Sequence, residues 1–180
     1  DPWYEDLTGV TPFDKAKATA LLTEAGKAGA TLRLRVPTLP YATSCGQVVK
    51  SQLEAVGLKV QLDSLEFPAA WLTTVFKGGD FDMSIVAHVE PRDLAAVFGN
   101  PDYYTHYATP EIQALFKAAD EGTAEQQVTN LKKAGRLIAE DAAADVLFLL
   151  PNLMVADKGI TGLPKNGIAV AFDLSKLAKG

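Results

Sequence analysis

The chain has 180 residues, 48% of them hydrophobic and 22% charged, proportions of a globular domain able to bury roughly 70% of its unfolded surface without staples. Its net charge of −5, with no lysine or arginine cluster, argues against nucleic acid and anionic membrane surfaces as partners, since both recruit clustered cations. The single cysteine, Cys45, excludes an internal disulfide and a Cys-pair zinc site, and no apolar run reaches the ~18 to 20 residues that span a bilayer.

The opening DPWYEDLTGVTPFD carries neither a basic n-region nor a hydrophobic h-region and has no initiator Met, so it reads as the middle of a longer chain. A helix is predicted next, with Thr11 as its cap, Pro12 at the first position, Ala18, Leu21, Leu22 and Ala25 as its apolar stripe, and Gly26 as its stop. TLRLRVP alternates Leu32, Leu34 and Val36 against Thr31, Arg33 and Arg35, a strand with one apolar and one cationic face that ends at Pro37. YATSCGQVVKSQLEAVG predicts a second helix, with Cys45, Val48, Val49, Gln52, Leu53 and Val56 on one stripe and Gly57 as its end. LKVQLDSLEF is another alternating strand. PAAWLTTVFKGG follows as a helix begun by Pro68, with Trp71, Leu72, Val75 and Phe76 inward and Gly78 and Gly79 ending it.

The run Met83, Ile85, Val86 and Ala87 is nearly continuous in apolar character, as expected of a central strand covered on both faces. Alternating strands and helices from 31 to 87 predict an α/β fold with a mixed, mostly parallel sheet flanked by helices. GNPDYYTHYATPE is a turn-rich aromatic loop. Thr109 and Pro110 then open a helix bearing Ile112, Leu115 and Phe116, and Thr123 with Gln126 forms a capping box for a longer one carrying Val128, Leu131, Gly135, Ile138 and Ala142. DVLFLLPNLMVADKGITGLP reads as an apolar strand broken at Pro151, with a turn at Lys158 and Gly159, and the tail GIAVAFDLSKLAKG contains a further strand.

His88, Glu90, Arg92 and Asp93 crowd the end of the predicted central strand. HVE at 88–90 matches half of the zinc-deaminase pattern, but the Pro-Cys-x-x-Cys half has no counterpart because no cysteine follows. A serine hydrolase would need a nucleophile elbow, and no Gly-x-Ser-x-Gly occurs; Gly78 and Gly79 lack the Gly-Lys-Ser/Thr of a phosphate loop. A small metal-dependent or acid-base hydrolase built on His88, Glu90 and His106 stands as the alternative to a binding protein. In an open α/β sheet ligands sit beyond the carboxyl ends of the strands, which puts His88, Glu90, Arg92 and Asp93 at a cleft rim. Tyr104 in the aromatic loop and Trp71 on its helix are candidates to offer that ligand a flat surface, with core packing as the competing role.

Several segments in order resemble the extracytoplasmic solute-binding proteins of ABC importers in the dipeptide, oligopeptide and nickel class (family 5). These are FDKAKATALLTEAG, VVKSQLEAVGLKVQL, FKGGDFDMSIVAH, YATPEIQALFKAAD and LIAEDAAADVLFLLPNLMVADKGITGLP. The resemblance implies a type II periplasmic-binding-protein-like lobe, two of which close on a ligand. On that reading residues 1–180 are a single C-terminal lobe of a larger two-lobed protein, and 146–180 return toward the missing N-terminal lobe. It further implies a small polar solute or peptide as ligand, ABC permease membrane subunits as partners, no enzymatic activity, no cofactor, and an extracytoplasmic location, periplasmic or as a lipoprotein. The sequence departs from the family's peptide binders where His88 occupies the position of a strand-end Trp and Glu90 and Pro91 fall on the acidic-Pro pair; the acid that pairs with the peptide amine has no direct match.

Overall fold

The structure, a computed structural model, describes residues 2–89, 93–151, 153–164 and 173–180. Helix α1 spans Lys15–Glu24 and is capped by Asp14, whose carboxylate accepts from the Lys17 N–H at 2.9 Å. The expected cap, Thr11, lies outside the helix. A carboxylate one residue before the first turn satisfies an orphan N–H and suits the positive end of the helix dipole, so the helix begins there and not at Pro12.

Strands β1 (Thr31–Pro37) and β2 (Lys59–Leu65) pair in parallel, Thr31 opposite Lys59 through Pro37 opposite Leu65, and helix α2 (Pro40–Glu54) makes the crossover. Leu34, Val36 and Val60 point from the sheet into α2 and are buried with Ala42. The phase of α2 differs from the expected stripe: Val48 and Gln52 are exposed, whereas Ala42 and Gly46 are buried. A Cβ on Gly46 would stand 3.2 Å from Leu62 Cδ1 and 3.6 Å from Val36 Cγ1, so the helix meets the sheet along its small residues. An apolar-periodicity reading cannot weight a glycine that is buried because it is small. Gly57 adopts φ +97, a left-handed conformation that suits glycine, and Leu58 N–H donates to Leu53 O at 3.2 Å as the chain turns into β2.

The run from Met83 to Ala87 does not form the central strand. Its one ladder position is Met83, bridged in parallel to Leu34, so the order among the described residues is β2, β1, Met83, with β1 in the middle. Met83, Ile85 and Val86 are half-buried and Ala87 is exposed; apolar character reports burial without specifying pairing. Met83 N–H donates to Arg33 O and Met83 O accepts from Arg35 N–H; the next β1 residue that would donate to this edge is Pro37, which has no N–H.

Helix α3 (Ala69–Trp71) passes directly into a π-helical stretch, Leu72–Lys77, that ends at Gly78. This segment packs on the sheet face opposite α2, burying Trp71 and Val75 with Tyr104 against Leu65, Phe81 and Val86. Helix α4 (Asp93–Gly99) is not anticipated by periodicity, since seven residues closing on a glycine are too few to display a stripe. Helices α5 (Pro110–Glu121) and α6 (Ala124–Glu140) open as expected, with Thr109 accepting from Ile112 N–H and the Thr123–Gln126 box closed in both directions. They bury Ile112, Phe116, Ala134 and Ile138 together. Ala142, expected on the α6 stripe, lies beyond its end in a turn at φ +51.

The apolar tract expected as a strand near 146–156 is extended, but none of its described residues is in a ladder, and Val146, Leu149, Leu153 and Val155 are 78%, 88%, 84% and 100% exposed. β3 (Ile160–Thr161) and β4 (Ala178–Lys179) form a short antiparallel pair after the turn at Lys158 and Gly159. The rest of the strand expected in the tail, at 167–172, lies outside the described residues.

Candidate functional site

The segment Asp82–His88 leaves the sheet at Met83 and is held from there by side chains. At its start Asp82 accepts at Oδ2 from the Arg33 backbone N–H at 2.7 Å and from Arg33 Nε at 3.1 Å, and at Oδ1 from the second guanidinium nitrogen at 2.9 Å. The side-chain hydrogen bond from Arg33, followed by the backbone one, lowers the Asp82 carboxyl to about 2. Asp80 pairs with both Arg33 and Arg35, and Arg35 Nε stands 3.5 Å from Asp63 Oδ2. The cationic face expected of β1 is therefore neutralised by carboxylates from β2 and the 80–82 turn. Its arginines serve as a clamp for that turn.

Further along, Trp71 Nε1 donates to Ser84 Oγ at 3.2 Å and Ala87 N–H donates to Tyr41 Oη at 2.9 Å. His88 then leans onto the aromatic loop. Its Nε2 lies 2.9 Å from Tyr104 Oη, with the two rings inclined by 7°, and its Nδ1 lies 3.8 Å from Asp93 Oδ2 at the start of α4. The His88 and Asp93 side chains are 26% and 31% exposed, enough for one edge of each to meet solvent. Tyr104 and Trp71 are 8% and 3% exposed and meet edge to face at 5.8 Å. Phe76, Phe81 and Tyr103 pack around them, so this aromatic layer backs His88.

Of the residues singled out in the sequence, the structure brings His88, Asp93, Tyr104 and Trp71 into one connected group, while Glu90 and Arg92 lie outside the described residues. His106 sits in the aromatic loop at φ +49, its Nδ1 3.4 Å from Pro101 O. Among the described residues no three His, Cys, Asp or Glu side chains are grouped to hold a metal. Tyr41 and Ser84 escape a motif search. A tyrosine in the first turn of the helix that follows the central strand is the signal that would have pointed to the former.

A family model described as bacterial extracellular solute-binding proteins, family 5 Middle, matches residues 1–105. The chain belongs to that family. Among solved structures, AppA from Clostridium difficile aligns over 99% of this chain with a TM-score of 0.81 and 22% identity. The oligopeptide-binding protein AppA from Bacillus subtilis, in complex with a nonapeptide, aligns over 79% with a TM-score of 0.65 and 20% identity. MoaA from A. tumefaciens, in complex with mannopinic acid, aligns over 79% with a TM-score of 0.65 and 22% identity. The chain spans 40%, 33% and 31% of those three proteins. No curated protein matches it. The family 5 chain thus has the type II periplasmic-binding-protein fold, with a parallel sheet flanked by helices.

Proposed function

We propose that this chain is the C-terminal lobe of a two-lobed, extracytoplasmic solute trap that delivers a peptide or similar small polar solute to an ABC permease and catalyses no reaction. On this reading residues 1–180 supply one wall of the cleft, and 146–180 return toward the N-terminal lobe. His88 and Asp93 face the solute together with Glu90 and Arg92, while Trp71 and Tyr104 are the aromatic backing. The observation that carries the reading is the position of His88 and Asp93 just beyond the carboxyl end of the strand-like segment next to β1, where open α/β sheets bind ligands. The exposed apolar side chains at 146–150 and 153–155 also support a second body, since apolar surface of that extent calls for cover.

Hinge-bending binders derive their affinity from enclosing the ligand, so half of one binds weakly. Calorimetry with Ala-Ala-Ala and with mannopinic acid tests this on the isolated chain and on the two-lobed protein. The two-lobed protein is expected to bind one of the probes and the isolated chain to show no micromolar binding; micromolar affinity in the isolated chain overturns the reading. Asp93→Ala and Glu90→Ala are each expected to weaken binding in the two-lobed protein. Unchanged affinity in both removes these carboxylates from the site.

A further inference from the structure

We infer that Tyr41 is a positioning residue of the solute site, its hydroxyl holding the backbone N–H of Ala87 beyond the last ladder position and thereby setting the direction of His88. The inference rests on the reading that His88 faces the solute. Met83 donates to Arg33 O and accepts from Arg35 N–H, so both of its backbone groups face β1. Met83 is the segment's one ladder position, and the Ala87 N–H lies four residues beyond it. There Ala87 N–H donates to Tyr41 Oη at 2.9 Å, from the first turn of α2. The Tyr41 ring packs with the sheet core, so the hydroxyl is delivered from a fixed base. The next residue is His88, whose ring reaches Tyr104 and stands near Asp93.

The test is NMR on the isotopically labelled chain with Tyr41→Phe, which keeps the ring. Loss of one neutral hydrogen bond is expected to accelerate Ala87 amide exchange about fivefold, with the Leu34 and Val60 amides unchanged. The nuclear Overhauser contacts between the His88 and Tyr104 rings are expected to weaken as the imidazole loses its setting. Ala87→Pro deletes the donor from the other side, so by itself it should weaken the same contacts, and Tyr41→Phe should then add nothing in that background. Unchanged Ala87 exchange, or an equal weakening by Tyr41→Phe with and without Ala87→Pro, overturns the inference. If Tyr41→Phe does not fold, Ala87→Pro decides alone, unchanged His88–Tyr104 contacts overturning the inference. These readouts need no solute. A protein that shows both changes, and whose His88 resonances ignore bound solute in the two-lobed form, keeps the positioning contact and loses only the ligand assignment.

Discussion

His88 Nε2 lies 2.9 Å from Tyr104 Oη, and the imidazole and phenol planes differ by 7°. Tyr104→Phe preserves the ring in its buried layer and removes the hydroxyl. The expected loss is about 1 kcal/mol of stability, read by urea denaturation, because the hydroxyl exchanges one protein partner for another state's water. In the two-lobed protein the same change should weaken solute binding by loosening His88. Unaltered affinity would show that the bond has no part in recognition.

Trp71 is 3% exposed and touches Phe67, Phe76 and Tyr104. Trp71→Ala should cost about 3 to 5 kcal/mol, since the hole it leaves cannot collapse onto a layer fixed by several rings. Trp71→Phe refills most of the volume but deletes the donor to Ser84, and should cost less. Thermal unfolding of both variants orders them; equal losses would mean that the Ser84 contact and the extra ring volume contribute nothing separable.

Asp82 is held at about 2 against an ordinary 3.8, first by the Arg33 side chain. A carboxyl depressed on folding contributes stability that is fully present above about pH 4 and is lost as pH falls through about 2. Its side chain is 34% exposed, so solvent screening reduces the contribution to about 1 kcal/mol. Asp82→Asn should lower stability at neutral pH by that amount and flatten the decline between about pH 4 and 2. Denaturation midpoints at a series of acidic pH values check both halves; an unchanged acid slope would assign the sensitivity elsewhere.

Tyr107 donates to Asp141 Oδ2 at 2.6 Å, tying the aromatic loop to the end of α6. Burial, and then the hydrogen bond to Asp141, push its pKa up to about 12 from 10.0. A raised folded value means that this contribution is complete below about pH 10 and disappears as pH rises through about 12. Ultraviolet titration should therefore show a tyrosine that ionises late, and Tyr107→Phe should remove that step from the folded protein. Retention of the late step in Tyr107→Phe would assign it to another tyrosine.

Helix caps and turn glycines were legible because they act over a few neighbouring residues. Thr109 before Pro110, the Thr123–Gln126 box and Gly57 after α2 are all used as their local chemistry dictates. The start of α1 went the other way because Thr11 and Asp14 both offer capping oxygens, and Asp14 lies one residue before the first turn that forms. In the candidate site, His88 and Asp93 could be found from their place after an apolar run, and the tyrosine-rich loop from its composition.

What the sequence by itself determined is the alternation of strands and helices, the crossover that makes β1 and β2 parallel, and the family, since each depends on period, spacing or local motif. Only the tertiary structure decided which strand is central, which face of α2 meets the sheet, and what holds His88. Those outcomes depend on groups far apart in the chain: Met83 bridging to Leu34, Gly46 admitting Leu62, and Tyr41 reaching Ala87. Periodicity records how much of a residue is buried. It carries no record of which distant atom fills the space or accepts the hydrogen bond.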